Sequence, residues 1–193
     1  ILSGKQHGHM EAVGYDMYLK LLSEAIAEEK GEAPPEDTIE CTVDVQIDAH
    51  IPETYIESLN QRLDIYKKIA TVKTEEDKSD IIDELIDRYG EPPKSVTGLL
   101  KVAMLRNTAI ELGITEITQR NGCLVFYTVL VTAQQLLDLS DSFNGRVSFT
   151  EIKKPNVSVR IEKNENPVKL MEKVLSIMLE TKHREAKQLP QKN

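Results

Sequence analysis

From Ile56 to Ile110 the apolar residues return every three or four positions, and the run is broken twice by residues that stop helices. Ile56, Leu59, Leu63, Tyr66 and Ala70 form one stripe, Ile81, Ile82, Leu85, Ile86 and Tyr89 a second, and Val96, Leu99, Leu100, Ala103 and Ile110 a third. Such spacing puts each set on one side of a helix of 3.6 residues per turn. The punctuation agrees with the period. Pro52 suits a first turn, where its missing N–H is no loss. Thr74 followed by Asp77 reads as a cap, Gly90 as a stop, Pro92–Pro93 as a new start and Gly113 as the last stop. Three helices in succession, joined by short turns, are expected.

On either side of this block the period changes to two. Before it, Cys41, Val43, Val45 and Ile47 alternate with Thr42, Asp44, Gln46 and Asp48, as in a strand with one covered face. After it, "ITEITQ" and "CLVFYTVLV" are rich in β-branched and aromatic residues and flank Arg120–Asn121–Gly122, a strong hairpin signal. "TAQQLLDLSDSF" reads as a short helix, and "RVSFTEI" and "NVSVRIE" as two more strands. "NPVKLMEKVLSIMLETK" closes the pattern as a helix with Val168, Met171, Leu175 and Met178 on one side. The expected class is α+β: three consecutive helices after a strand, packed with a small, mostly antiparallel sheet and a closing C-terminal helix. A short sheet has too little core to stand alone, so helices must cover one of its faces.

The first forty residues read separately. "GKQHGHM" sets two histidines and a glutamine among glycines, and "EAVGYDMYLKLLSEAIAEEK" then places Val13, Met17, Leu21 and Ala25 at helical spacing. "GEAPPED" ends that helix and begins a linker, since Pro34–Pro35 cannot continue it.

Composition narrows the class of function. With 40% hydrophobic and 29% charged residues over 193, the chain suits one ordinary globular domain, or one domain plus a fragment. No apolar run approaches the ~20 residues that cross a bilayer, so no membrane contact is expected. No basic-then-apolar leader is visible, and Cys41 and Cys123 have no CxxC partner, which points to reduced thiols and a cytoplasmic setting. The first residue is Ile1, as in a piece of a longer protein. A net charge of −8 repels a phosphate backbone, so nucleic acid is not expected to be an independent partner. The charge is also concentrated: Glu75, Glu76, Asp77, Asp80, Asp83, Glu84, Asp87 and Glu91 crowd a short segment, whereas the end of the chain, "KHREAKQLPQKN", is basic and polar.

The residues offer little local chemistry. Neither GxxxxGK[ST] nor GxGxxG occurs, so no phosphate cradle, and hence no nucleotide cofactor, is expected in this chain. His7 and His9 lack the further ligands a zinc site needs, and His50 and His183 suggest no shared site; no metal is expected. No catalytic residue is assigned. Glu84 and Asp87, three apart in "DELIDRYGEPP", share a helix face. That pair leaves three readings open: a solvated surface, a docking face for a basic partner, or acid–base catalysis with one carboxyl buried and its pKa raised.

Three phrases add a resemblance. "GKQHGHMEAVGYDMYLKLL", "DAHIPETYIESLNQRLDIYKKIA" and "DELIDRYGEPP", in this order, resemble the C-terminal end of the bacterial transcription-repair coupling factor family. From about residue 115 the likeness lies in element order more than in phrases. Family members are large ATP-dependent DNA translocases that push stalled RNA polymerase off a lesion and recruit the excision-repair protein UvrA. The resemblance implies that residues 1–40 are the end of the motor and a linker, residues 41–182 a C-terminal regulatory domain, and residues 183–193 a basic disordered tail. It matches Gly4, Gln6 and Gly8 to the G-x-Q-x-G loop of a translocation motif shared with the RecG helicase. It assigns Glu84 and Asp87 to an autoinhibitory contact with basic residues of the family's UvrA-binding module, within the same polypeptide. ATP and magnesium would belong to the parent's motor lobes, and UvrA, RNA polymerase and duplex DNA to domains this chain lacks. The chain itself is expected to be monomeric, non-catalytic and bacterial cytoplasmic. Two alternatives stand beside this: an acidic helical adaptor for a basic protein, and a small carboxylate-dependent hydrolase.

Overall fold

The computed structural model describes residues 41–188, together with Glu24, Ala27, Glu28, Lys30 and Gly31. The expectations for Gly4, Gln6 and Gly8, and most of those for the helix over residues 11–30, lie outside the described residues. The chain divides into two compact units, one containing Gln46–Asn107 and the other Glu40–Val45 with Thr108–Asn193.

Three helices form where the apolar periods predict them, but Ile86, expected on the inner face of the second, is 43% exposed. Helix α1 runs Leu59–Ala70, α2 Glu75–Tyr89 and α3 Lys94–Glu111, whose last residues, from Thr108, belong to the second unit. α1 starts later than Pro52 suggests. Pro52 instead makes a single turn, with the N–H groups of Tyr55 and Ile56 both donating to its carbonyl. Ser58 then caps the helix by accepting from the Gln61 N–H. The non-helical lead-in is anchored by side chains: the Ile51 N–H donates to the Tyr66 hydroxyl at 2.8 Å, and Arg62 donates to the carbonyls of Ile56 and Glu57. The buried face of α1 is also turned relative to the expected stripe. Ile65 and Ile69 are buried beside Leu63 and Tyr66, whereas Ala70 is exposed. A bulky isoleucine gains more from burial than an alanine, which fixes the roll of the helix.

α2 begins with a complete capping box. The Thr74 hydroxyl accepts from the Asp77 N–H, and the Asp77 carboxylate accepts from the N–H groups of Thr74 and Lys73. These bonds hold the Asp77 carboxyl below the usual range. Ile81 and Leu85 are its buried contacts, and Gly90, at φ +82°, ends it. α3 is buried on nearly every side, through Val96, Leu99, Leu100, Val102, Ala103, Leu105 and Ala109. Asn107 secures the end of α1's connection by donating to the Val72 carbonyl at 2.7 Å.

The second unit is a five-stranded mixed sheet with two helices. Strands β1 (Thr42–Asp44), β2 (Ile114–Arg120), β3 (Cys123–Thr128), β4 (Val147–Thr150) and β5 (Asn156–Arg160) stand in the order β1-β2-β3-β5-β4. Every pairing is antiparallel except β1 with β2. Asn121 and Gly122, both at positive φ, make the tight β2–β3 turn that the sequence signals. Register lines up Val43, Ile117, Phe126, Val157 and Phe149 across the five strands, and all but Phe149 are buried.

Helices α4 (Ala133–Ser142) and α5 (Pro167–Gln188) pack on each other, with the Gln135 amide donating to the Met178 carbonyl at 2.9 Å and Leu139 and Met178 both buried. α5 continues through part of the basic segment expected to be a disordered tail. Lys182 donates to the Glu111 carbonyl, Arg184 reaches the Asp138 carboxylate, and Glu185 accepts from Thr132, so the helix, which runs to Gln188, is tied down as far as Glu185. Cys41 is buried and Cys123 half-buried, and no disulfide joins them among the described residues.

Candidate protein-docking face

The eight acids of the Glu75–Glu91 segment are not equivalent once folded. Asp77 is consumed by the capping box, and Glu75 pairs with Lys78 at 2.9 Å. Glu84 sits between two cations. Lys68, from α1, donates to both of its carboxylate oxygens at 2.7 and 2.6 Å, and Arg88, one turn further along α2, donates at 2.7 Å. Hydrogen bonds from Lys68 and then Arg88 hold the Glu84 carboxyl below the usual glutamate range. Glu91 lies beyond the helix end, where its charge, after burial itself, helps push the Tyr55 phenol upward.

Four acids remain. Glu76, Asp80, Asp83 and Asp87 are all exposed, and none has an ion pair or hydrogen bond among the described residues. At 100° per residue they fall within an arc of about 60°, a single negative stripe along α2. Ile86, 43% exposed, flanks it as an apolar neighbour. The helix carrying the stripe is tied at its C-terminal end. The Tyr55 hydroxyl donates to the Gly90 carbonyl at 2.7 Å, the rings of Tyr55 and Tyr89 meet edge-on at 6.0 Å, and the Arg88 guanidinium lies 4.9 Å from the centre of the Tyr89 ring.

The two acids singled out from sequence therefore have different surroundings. Asp87 belongs to the free stripe; Glu84 lies beside it, with its side chain 28% exposed and its charge already answered within the chain. The Glu84–Arg88 pair is readable as an i, i+4 contact, but Lys68 is sixteen positions away and no local pattern announces it. As chemistry, the arrangement is poorly suited to acid–base work. A general acid at neutral pH needs a raised carboxyl pKa, and Glu84 is shifted the other way. His50 lies in the lead-in loop beside Asp48 at 3.1 Å, away from α2's acidic stripe in sequence and partnered locally. Among the described residues no group of three or more His, Cys, Asp or Glu could hold a metal ion. No described helix is long and apolar enough to cross a membrane.

Comparison with known proteins gives this face a setting. The TRCF domain family matches residues 45–137, a span that includes all three helices of the first unit. A transcription-repair-coupling factor of Bacillus subtilis (strain 168) is 34% identical over 167 residues, 83% of this chain and 14% of that protein. One from Staphylococcus haemolyticus (strain JCSC1435) is 37% identical over 121 residues, 62% of this chain and 10% of that protein. The chain thus spans a small part of the relatives it matches. Among solved structures, the crystal structure of the C-terminal domain of a transcription-repair coupling factor superposes with a TM-score of 0.64. That match is 22% identical in sequence and covers 78% of this chain and 98% of the other, a likeness of fold.

Proposed function

Because the chain belongs, through residues 45–137, to the TRCF domain family, we propose that it is the regulatory C-terminal module of a transcription-repair coupling factor. In this reading the outer face of α2 docks on a basic UvrA-binding module elsewhere in the parent and keeps that module masked. The parent would be an ATP- and magnesium-dependent DNA translocase that displaces stalled RNA polymerase and recruits UvrA. The observation that supports the docking role is the stripe of four exposed acids without internal partners, bordered by Glu84.

The energetics suit a clamp. Exposed ion pairs contribute roughly 0–1 kcal/mol each, so a handful makes a weak contact between separate molecules. Within one polypeptide, tethering supplies an effective concentration of roughly millimolar, and a weak contact then masks a surface. Weakness also leaves it open to reversal, because a clamp of about 1–3 kcal/mol yields when polymerase and DNA favour another arrangement.

The test is to titrate the chain with the isolated UvrA-binding module at low and high salt, as wild type and as Asp87→Lys. Association that weakens with salt and weakens further in the variant supports the clamp. No association at low salt, or an Asp87→Lys variant that binds as well as wild type, rules it out and leaves the stripe as a solvated surface.

A further inference from the structure

Both oxygens of Glu84 are bonded by cations of the same chain, so a basic partner arriving at α2 meets this carboxylate in competition. The two competitors are not equally movable. Arg88 lies on the same helix one turn away, with its guanidinium against the Tyr89 ring, a second contact that holds it beside Glu84. Lys68 reaches across from α1, its side chain is 47% exposed, and Glu84 is its one ion-pair partner among the described residues. Releasing it loses one exposed ion pair and returns a flexible four-carbon stem to water. Asp87 has no such internal cation.

We propose that Lys68 is a built-in competitor for Glu84, displaced when a basic partner docks on α2, and that it sets how weakly the contact is held. The inference rests on the docking reading above and adds a regulating residue to it. In the free chain Lys68, Arg88 and Glu84 together are net positive by one charge. An incoming cation therefore meets less negative potential at this end of the stripe than the acids alone would give. Displacing Lys68 restores the carboxylate to the interface and breaks a link between α1 and α2, so docking strength and the α1–α2 link oppose each other.

The experiment uses the whole 193-residue chain, with the isolated UvrA-binding module as probe at low salt. Lys68→Met is expected to bind roughly two- to fivefold more tightly than wild type, the range of one exposed ion pair. The gain should disappear in a Glu84→Gln background. The thermal melt of Lys68→Met should meanwhile stay level or fall, since a competitor gives up stability where it yields affinity. A residue that merely props the helices would lose both together. Binding unchanged or weakened in Lys68→Met, or an equal gain in the Glu84→Gln background, overturns the proposal. If Asp87→Lys weakens binding while Lys68→Met does nothing, only the competitor fails; if Asp87→Lys has no effect, the docking reading fails as well.

Discussion

Replacing Glu84 by glutamine keeps the side chain's size and removes its charge, and so isolates what the Lys68–Glu84–Arg88 cluster contributes to folding. Double-mutant measurements place exposed ion pairs at about 0.2–1 kcal/mol each. Lys68 and Arg88 are 47% and 43% exposed and share one carboxylate. The two pairs together should therefore be worth about 1 kcal/mol, a fall in Tm of roughly 2–4 °C for a chain of this length. The pH dependence follows from the sign of the shift. Glu84's pKa is lowered in the folded state by its hydrogen bonds from Lys68 and Arg88, so the unfolded chain takes up the proton first. The stabilisation is complete above the ordinary glutamate pKa and is lost as pH falls through the lowered folded value. Thermal melts followed by far-UV circular dichroism at neutral pH and well below the glutamate range would measure this directly. Wild type and Glu84→Gln should differ at neutral pH and converge in acid, and added salt should shrink the neutral difference. A difference that persists unchanged in acid would refute the reasoning, because it would place the effect in packing and not in charge.

Two further expectations concern the sheet-containing unit. Gly113 ends α3 at φ +70°, and a Cβ there would lie 2.3 Å from a Leu130 methyl carbon. Leu130 is 64% exposed and can swing aside, so Gly113→Ala should cost mainly the left-handed backbone penalty, about 1–2 kcal/mol, and Gly113→Asn clearly less in the same denaturant titration. Asp138 is held below the usual aspartate range by hydrogen bonds from Thr181, then Gln134, with Arg184 adding to them. Its stabilisation is present above the ordinary aspartate pKa and lost as pH falls through the lowered value, so an Asp138→Asn variant should show a flatter acid limb in pH-dependent melts.

Much of this architecture could be read from residue order because its signals are local. The Thr74–Asp77 box, the Gly90 and Gly113 stops and the Asn121–Gly122 turn each need only a few neighbouring residues, and each forms where expected. Contacts with distant causes were harder to read. Pro52 looks like a first-turn proline, yet Ser58 offers a better cap, and the intervening residues are held by Tyr66, Arg62 and Gly90. The basic C-terminal segment reads as solvent-loving, but its anchors at Glu111, Asp138 and Thr132 lie far upstream. The candidate face divides in the same way. The sequence lines up the acids of α2 by period, and the Asp77 cap and the Lys78 and Arg88 pairs are local, whereas the second cation on Glu84 depends on Lys68 crossing from another helix.

The pairing of β1 with β2 bears on how the chain assembles. Thr42–Asp44 lies beside Glu116–Thr118 in parallel register, with all three helices of the other unit between them in sequence. Closing a loop of about seventy residues costs roughly 4 kcal/mol of chain entropy if that loop is unstructured, more than the backbone hydrogen bonds of a three-residue ladder return by themselves. The strand can join the sheet cheaply only after the intervening segment has folded and no longer behaves as a free loop. On a ribosome, the residues of β1 emerge before the three helices and before β2, and are expected to find their place late. A lesion that slows the three helices would therefore register as a missing edge strand on a sheet it does not touch in sequence.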